Sequence, residues 1–434
     1  MYFVCFTAKK WNNTRLYLRH QILNMNILVV NWTWYPSGGD WTYVENVIDL
    51  YVRNGHKVIP FSMKDERNFP SDYAGYFIEN IDYKKINKRS LSAGIKVVAK
   101  SVYSIEAQHN LERLLNNVKI DFVHINVIHH YITPTILKII KKRNIPVIWT
   151  LHEYTPICPE STFISHGQIC ERCYGGAFYN CITHTCKKGS VLASTVAAFE
   201  NYVHKYLNYY SYVDFYICPS VFLYNKFKQF NFFTDKLVQL YHGYNYSEID
   251  FALQTHVLAH EKYVVFVGRL EKIKGAHTVL KAIKNCPNIA LKIVGTGTQE
   301  QELKQFALQN GLDNVSFEGK KTSNETLQLI KNADFLICAS EWYEVLGFTV
   351  VEAMALGKPV IGSAIGAIPE MVIDNYTGLL FEPGNYTQLG NLITMLYADP
   401  DLNAKMGQNA RQHITNLIDN DKHYAGLQQL VPGL

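Results

Sequence analysis

No apolar run in this 434-residue chain reaches the ~18 residues a membrane span requires, so any contact with a bilayer must be peripheral. No short-period repeat appears, which excludes a solenoid. Charged residues make up only 18%, and the net charge of +5, counting histidine as neutral, is too small an excess to argue for a nucleic-acid partner. That excess would still favour anionic membrane surfaces or phosphorylated ligands. The first 24 residues hold no acid, but they carry Lys9, Lys10, Arg15 and Arg19. Their apolar run, Tyr2 to Phe6, is too short for a signal-peptide core. Met25 is therefore expected to be the natural start and residues 1–24 an upstream extension; the alternative is a short basic arm that touches membranes. Either way the protein is expected in the cytoplasm, with the inner face of the membrane within reach. A hydrophobic content of 48% describes an ordinary globular protein, and the length exceeds what one core usually supports, so two domains are expected.

What is present concentrates in the second half. The stretch Glu341-Trp-Tyr-Glu344-Val-Leu-Gly347-Phe-Thr-Val-Val-Glu352-Ala-Met-Ala-Leu-Gly357-Lys-Pro359-Val places two carboxylates eight residues apart across a loop-to-helix junction. Glu344 is expected in the loop after the apolar strand 334–338, and Glu352 inside the helix that Gly347 opens. A carboxylate in so apolar a helix is costly to bury without a partner, and helix N-termini attract anions through amides that lack acceptors. The pair suits a ligand with both hydroxyls and phosphate, such as a nucleotide-activated sugar. The alternative is an ordinary amphipathic helix with one acid on its wet face. About seventy residues earlier, Lys262 to Gly275 reads as a strand that breaks at Gly268 and presents Arg269, a planar fork for phosphate oxygens, and Lys274, a compact point charge. The strand 290–294 ends in Gly295-Thr-Gly297, where backbone can approach a ligand closely. Both loops lie at the carboxyl ends of strands, where open parallel sheets bind ligands.

Gly268-Arg269-Leu270 with Lys274-Gly275, then Glu344-x7-Glu352 and Glu352-Ala-Met-Ala-Leu-Gly-Lys-Pro359-Val, resemble the signature of glycosyltransferase family 4. Gly366-Ala-Ile-Pro369-Glu370 and Asn375-Tyr-Thr-Gly378-Leu-Leu-Phe381 extend the resemblance, which runs from about Met25 to about Leu417. It implies a retaining, metal-independent enzyme of the GT-B architecture: two Rossmann-like, doubly wound parallel-sheet domains facing across a cleft. One departure is Leu346, where the family usually has an aromatic residue; the backbone role of Gly347 should survive it, while the pocket wall is expected to differ.

Along the chain, strand 26–31, the turn Pro36-Ser-Gly38-Gly39-Asp40, a helix through Leu50 and strand 56–60 form a β–loop–α–β unit. In the resembled family this Gly38-Gly39 loop lies beneath the donor phosphates and the acceptor; a plain tight turn is the alternative. Residues 61–118 read as helices and loops over one end of the sheet. Further strands are expected near 121–126, 146–150, 213–218 and 236–241, with a helix at about 133–142. The second half repeats the scheme with strands near 263–268, 290–294, 314–317, 334–338, 359–362 and 378–381. The expected divisions are 25–243 for the N-terminal, acceptor-side domain, 244–261 for a linker, 262–417 for the C-terminal, donor-side domain, and 418–434 for a tail that the family architecture returns to the N-terminal domain.

Five of the nine cysteines, Cys158, Cys170, Cys173, Cys181 and Cys186, fall within 29 residues, in a loop-like insert at 156–188. Four of them are compatible with a tetrahedral structural zinc site; free or partly buried thiols are the alternative, and a cytoplasmic setting argues against stable disulfides. His152 and Glu153 stand at the end of strand 146–150, an active-site position. The resembled family has a histidine and an acid here close to the transferred sugar; a core-capping histidine is the alternative.

The implied reaction moves a hexosyl unit from a UDP- or GDP-linked sugar to a saccharide or lipid-linked acceptor, and the expected setting is cell-surface polysaccharide biosynthesis. Arg269 and Lys274 would stabilise the leaving phosphate with amides at Gly347, Phe348 and Thr349, Glu344 would orient sugar hydroxyls, and Glu352 would accept bonds from the ribose. No Asp-x-Asp metal motif stands at a matching position, so no catalytic cofactor is expected. A GT-B epimerase, a phosphorylase and a non-catalytic two-lobed sugar-binding protein are the competing readings.

Overall fold

The computed structural model describes residues 24–80, 100–254 and 262–434. Residues 1–23 of the expected extension, 81–99 of the stretch over the sheet, and 255–261 of the expected linker lie outside the described residues. Fourteen short strands are found among them; the main-sheet strands are three to five residues long and, apart from β11, largely apolar. The central strands are buried on both faces, as parallel strands covered by helices must be, while the edge strands β8 and β11 are only partly covered.

The first sheet contains β1 (Asn26–Val30), β2 (Lys57–Phe61), β3 (Phe122–Ile125), β4 (Val147–Thr150), β7 (Phe215–Cys218) and β8 (Leu237–Gln239), in the spatial order β2-β1-β3-β4-β7-β8. Between β4 and β7 the chain makes a small antiparallel hairpin, β5 (Ile164–Ser165) with β6 (Gln168–Ile169). The second sheet contains β9 (Tyr263–Val267), β10 (Ala290–Val294), β11 (Val315–Gly319), β12 (Leu336–Cys338), β13 (Val360–Ser363) and β14 (Gly378–Phe381), in the order β11-β10-β9-β12-β13-β14. All strand pairs in both main sheets are parallel. These are two doubly wound sheets of the GT-B kind, as expected from the sequence. Strand order reverses between β1 and β3 in one and between β9 and β12 in the other, and the loops leaving such a switch point diverge to opposite faces and open a crevice.

Local chemistry explains where the helices begin. Thr322 caps the Ser323–Asn332 helix in a reciprocal box with Glu325. Asp40 and Arg53 occupy the first and last turns of the Gly39–Arg53 helix, complementing its dipole. The expected helix at 133–142 divides into a 3-10 turn, Pro134–Ile136, and the helix Leu137–Lys142.

The last helix, Asn420–Leu430, crosses back to the first sheet. His423 is hydrogen-bonded to the Tyr241 carbonyl at 2.7 Å and to Tyr43 Oη at 3.1 Å, and Asn46 donates to Asn420 at 2.9 Å. Leu427, Val431 and Leu434 complete an apolar cluster with Ile27, Val29, Val44 and Val47. Leu427 is fully buried there, so Leu427→Ala should cost about 2–5 kcal/mol. Denaturant unfolding checks this; a loss below about 1 kcal/mol would mean the tail is not integral to that core.

Candidate functional site

Three loops at the carboxyl ends of β9, β10 and β12 build one wall of the crevice. Arg269 follows β9 and is exposed. Lys274 closes the short 3-10 turn Lys272–Lys274, and Gly275 behind it has φ +72°; a Cβ there would lie 1.9 Å from the Ala339 carbonyl oxygen. The β9 and β12 loops therefore touch backbone to backbone. Gly297 has a similar duty: its Cβ would lie 2.4 Å from the Leu270 carbonyl oxygen. The close approach for which this loop needs glycine is made by the protein's own chain.

Lys274 Nζ and Glu344 Oε1 are 2.5 Å apart, and Ser340 Oγ donates to the same oxygen at 2.5 Å. The Glu344 side chain is 7% exposed. Burial alone pushes its carboxyl up, but the Lys274 charge and the hydrogen bonds from Lys274 and Ser340 outweigh that, and the net shift is downward. Lys274 also lies 5.2 Å from the Trp342 ring centroid. The Glu344 backbone is held from behind by Gly366, with φ +60°, whose Cβ would fall 2.4 Å from the Glu344 nitrogen, and the Ala367 amide donates to the Glu344 carbonyl.

Gly347, at φ 105°, starts the Phe348–Ala355 helix. Leu346 is 4% exposed and packs in the core beneath this helix, so the departure noted there changes core packing rather than a pocket wall. Phe348 stacks on His242, with centroids 5.8 Å apart and planes 7° apart, and its ring would lie 3.8 Å from a Cβ on Gly39. The start of the Gly39–Arg53 helix, after Gly38, thus faces the start of the Phe348–Ala355 helix, where Thr349 also lies, and two sets of unsatisfied N-terminal amides converge. Glu352, on the second turn, accepts from Tyr244 Oη at 3.3 Å. Burial raises its carboxyl to about 7 despite that bond.

His152 stands on the opposite wall, after β4. Its Nε2 is 3.0 Å from Asn126 Oδ1, and burial lowers its pKa to about 4. Its ring lies among Tyr43 and His242, at centroid distances of 5.2 and 5.4 Å. Glu153 turns away to His129 Nδ1 at 2.9 Å; burial pushes its carboxyl up, but the His129 hydrogen bond and charge prevail and hold it well below the usual range.

The structural-zinc expectation is not supported. Among the described residues no group of three or more His, Cys, Asp or Glu side chains is placed to hold a metal ion. Cys158, Cys173 and Cys181 are buried, and Cys170 and Cys186 partly so, all as free thiols. Cys173, Cys181 and Cys186 pack instead with Phe178 and Ala198 in a small apolar cluster, and burial raises the Cys158 thiol to about 11 and the Cys181 thiol to about 12.

Two cross-crevice contacts escaped the sequence reading. Tyr343, next to Glu344, donates its hydroxyl to Glu171 in the cysteine-rich insert at 2.8 Å; Glu171 also pairs with Lys226 at 2.6 Å. Glu370 accepts from the Val221 and Phe222 amides at 2.8 and 2.5 Å and from Tyr241 Oη at 2.9 Å, so a second-sheet carboxylate caps a first-sheet helix. The separation of 172 positions between Glu171 and Tyr343 leaves no local pattern from which such a contact is legible.

Two family descriptions divide the chain between them: Glycosyltransferase Family 4 matches residues 37–248, and Glycosyl transferases group 1 matches 251–413. An uncharacterized glycosyltransferase of Methanocaldococcus jannaschii is 28% identical over 200 residues, 45% of this chain and 53% of its own length. The chain thus spans about half of that relative. Among solved structures, Anabaena HepE in complex with UDP and glucose superposes with a TM-score of 0.63 at 18% identity, covering 94% of this chain and all of that one. Sucrose-phosphate synthase of Thermosynechococcus elongatus gives 0.69 at 19% identity, covering 94% and 98%. At such identities the likeness to solved structures is one of fold.

The raised Glu352 pKa has a signed consequence. Between the ordinary 4.5 and about 7 the folded protein holds a proton that the unfolded chain has released, so stability falls as pH rises through that window. Glu352→Gln should melt higher than the wild type at pH 8, with the gap closing by pH 5; a gap that ignores pH would mean the carboxyl is not raised. Gly366→Ala forces both backbone strain and a clash behind Glu344, and should cost about 1–3 kcal/mol by chemical denaturation. Unchanged stability there would remove the proposed backstop.

Proposed function

We propose, from the premise that the chain is a GT-B-fold glycosyltransferase related to the group 1 and family 4 enzymes, that it moves a hexosyl unit from a nucleotide-diphosphate sugar to a saccharide or lipid-linked acceptor in cell-surface polysaccharide biosynthesis. The observation that carries this reading is the Lys274–Glu344 ion pair, its carboxylate buried, at the second sheet's switch point, followed on the same loop by the start of the Phe348–Ala355 helix, which the start of the Gly39–Arg53 helix faces. On this reading residues 25–243 form the acceptor side and 262–417 the donor side, joined by 244–261 and strapped by 418–434. The enzyme works in the cytoplasm, at or near the inner membrane face. The solved complex of HepE with UDP and glucose supports a uridine nucleotide as the first donor to try.

In the proposed reaction the donor's anomeric C–O bond breaks, and its electron pair leaves with the diphosphate. Arg269 and Lys274 take up that charge together with the amides of Gly347, Phe348 and Thr349, with the Gly38-Gly39 loop beneath the phosphates and the acceptor. The acceptor hydroxyl oxygen forms the new bond on the face the phosphate leaves, which retains configuration. Its proton passes to a leaving-phosphate oxygen, so no metal enters the step. Glu344 sets negative potential beside the oxocarbenium-like ring and accepts from sugar hydroxyls. Glu352 receives the ribose hydroxyls. Neutral His152, its pKa lowered by burial, is a hydrogen-bonding partner for a sugar hydroxyl rather than a cation competing with the oxocarbenium.

A hydrolysis assay tests this by following UDP or GDP release from a panel of nucleotide sugars, with and without EDTA. Wild-type protein should release nucleotide from one donor regardless of EDTA. Lys274→Ala and Glu344→Ala should each lose about 10²–10³-fold. Conversion of donor without nucleotide release would favour an epimerase, and binding with no turnover in the presence of acceptors would favour a non-catalytic sugar-binding protein.

A further inference from the structure

The helix Val191–Tyr206 is built inside out. Its inward face carries Ser194, Glu200, Asn201 and His204, all nearly inaccessible. Its outward face carries Val191 (60% exposed), Leu192 (74%), Phe199 (55%), Tyr202 (39%) and Tyr206 (89%). Leu192, Phe199, Tyr202 and Tyr206 are separated by seven, three and four residues, the spacing of a single helical stripe. The helix cannot roll to hide this stripe, because its polar side is tied down. Glu200 accepts from the His130 amide at 3.2 Å and pairs with His130 Nδ1 at 2.7 Å. His204 is bonded to the Val102 carbonyl at 2.8 Å, and the Lys187 amide donates to Ser194 Oγ at 3.0 Å.

Charge indicates what covers the stripe. Between residues 172 and 213 the one acid is Glu200, and it is buried and paired. The same stretch holds Arg172, Lys187, Lys188 and Lys205, of which Arg172, Lys188 and Lys205 are exposed. A second copy docking through this same face would set cation against cation. An anionic bilayer complements it: apolar side chains enter the acyl boundary, tyrosines settle at the headgroup level, and lysines meet lipid phosphates.

We propose that the outward face of the Val191–Tyr206 helix seats the enzyme on an anionic lipid surface and so presents the first-sheet side of the crevice to a membrane-borne acceptor. This rests on the transferase reading above and narrows its acceptor to a lipid-linked one. The seat is also coupled to the crevice. The chain runs directly from the cysteine-rich insert, whose Glu171 holds Tyr343, into this helix, and the Tyr179 amide of the insert donates to Tyr202 Oη at 3.1 Å.

The full-length protein is tested by co-sedimentation with phosphatidylglycerol vesicles and with phosphatidylcholine vesicles. Binding should be at least tenfold stronger to the anionic vesicles and weaken with salt. The double variant Leu192→Glu and Phe199→Glu should abolish it. Arg172→Gln with Lys188→Gln, which removes two exposed cations and leaves the apolar stripe intact, should weaken binding to anionic vesicles severalfold and provides a second test should the first variant misfold. Both should release nucleotide from soluble donor at the wild-type rate. Absence of vesicle binding, binding that survives both variants, or a wild-type dimer that the double variant dissociates would each overturn the proposal. Failure of nucleotide release in every form, with vesicle binding intact, would instead sink the transferase reading and leave the membrane seat standing.

Discussion

Glu344 is nearly sealed from water with a single cation, Lys274, beside it, and much of the surrounding architecture serves to keep those two side chains together. Removing one partner of such a pair leaves an uncompensated buried charge, at a cost of roughly 3–5 kcal/mol. Gly275 admits the β12 loop against the β9 loop, and Gly366 and Ala367 press on the Glu344 backbone from behind. Ser340, which shares the Glu344 oxygen with Lys274, is anchored through its own carbonyl by Ser363 at 2.6 Å. The pair is therefore preorganised before any ligand arrives. On the proposed reading an incoming diphosphate would compete for Lys274, and the sugar attached to it would supply hydroxyl donors to the carboxylate that loses its partner. An ion pair of this kind favours a ligand that satisfies both members at once.

The same loop fixes how the two sheets meet. Tyr343 inserts among Phe163, Phe222 and Tyr154 of the first lobe, with Lys226 over its ring. Phe348 lies against His242 and Gly39, Glu370 caps a first-lobe helix, and the final helix spans back over β1. These contacts tie residues adjacent to the ion pair to the lobe expected to receive the acceptor. Lobe orientation and Glu344 placement are consequently one structural variable.

The sequence made the sheets legible because parallel strands are apolar runs ended by glycine or polar loops: 290–294 and 378–381 fall where expected, and 236–241 shortens to Leu237–Gln239. The strand–helix alternation implied doubly wound sheets, but the order of strands, and hence the switch points, is not legible in the runs themselves. Arg269, Lys274 and Glu344 were legible as candidates because they lie in loops that follow apolar strands, and Glu352 because a carboxylate interrupts an apolar helix. The β5–β6 hairpin was not, since two-residue strands carry no period. Cysteine spacing suggested metal ligands, whereas Cys173, Cys181 and Cys186 pack in a small apolar cluster and Cys158 in the larger first-lobe core. The Val191–Tyr206 helix went unremarked because its apolar stripe points outward, and periodicity alone does not reveal which side of a helix faces water. Glycine at 297 was read as room for a ligand; the occupant of that room is the Leu270 carbonyl.

The central claim, that Lys274 and Glu344 form the seat of the transferred group and its leaving diphosphate, is tested most directly by a crystal structure with bound uridine or guanosine diphosphate. The account predicts the terminal phosphate within hydrogen-bonding distance of Lys274 Nζ and the Arg269 guanidinium, beside the Gly347 amides, with the ribose hydroxyls on Glu352. A diphosphate bound elsewhere, with the Lys274–Glu344 pair undisturbed and no phosphate beside it, would contradict the account.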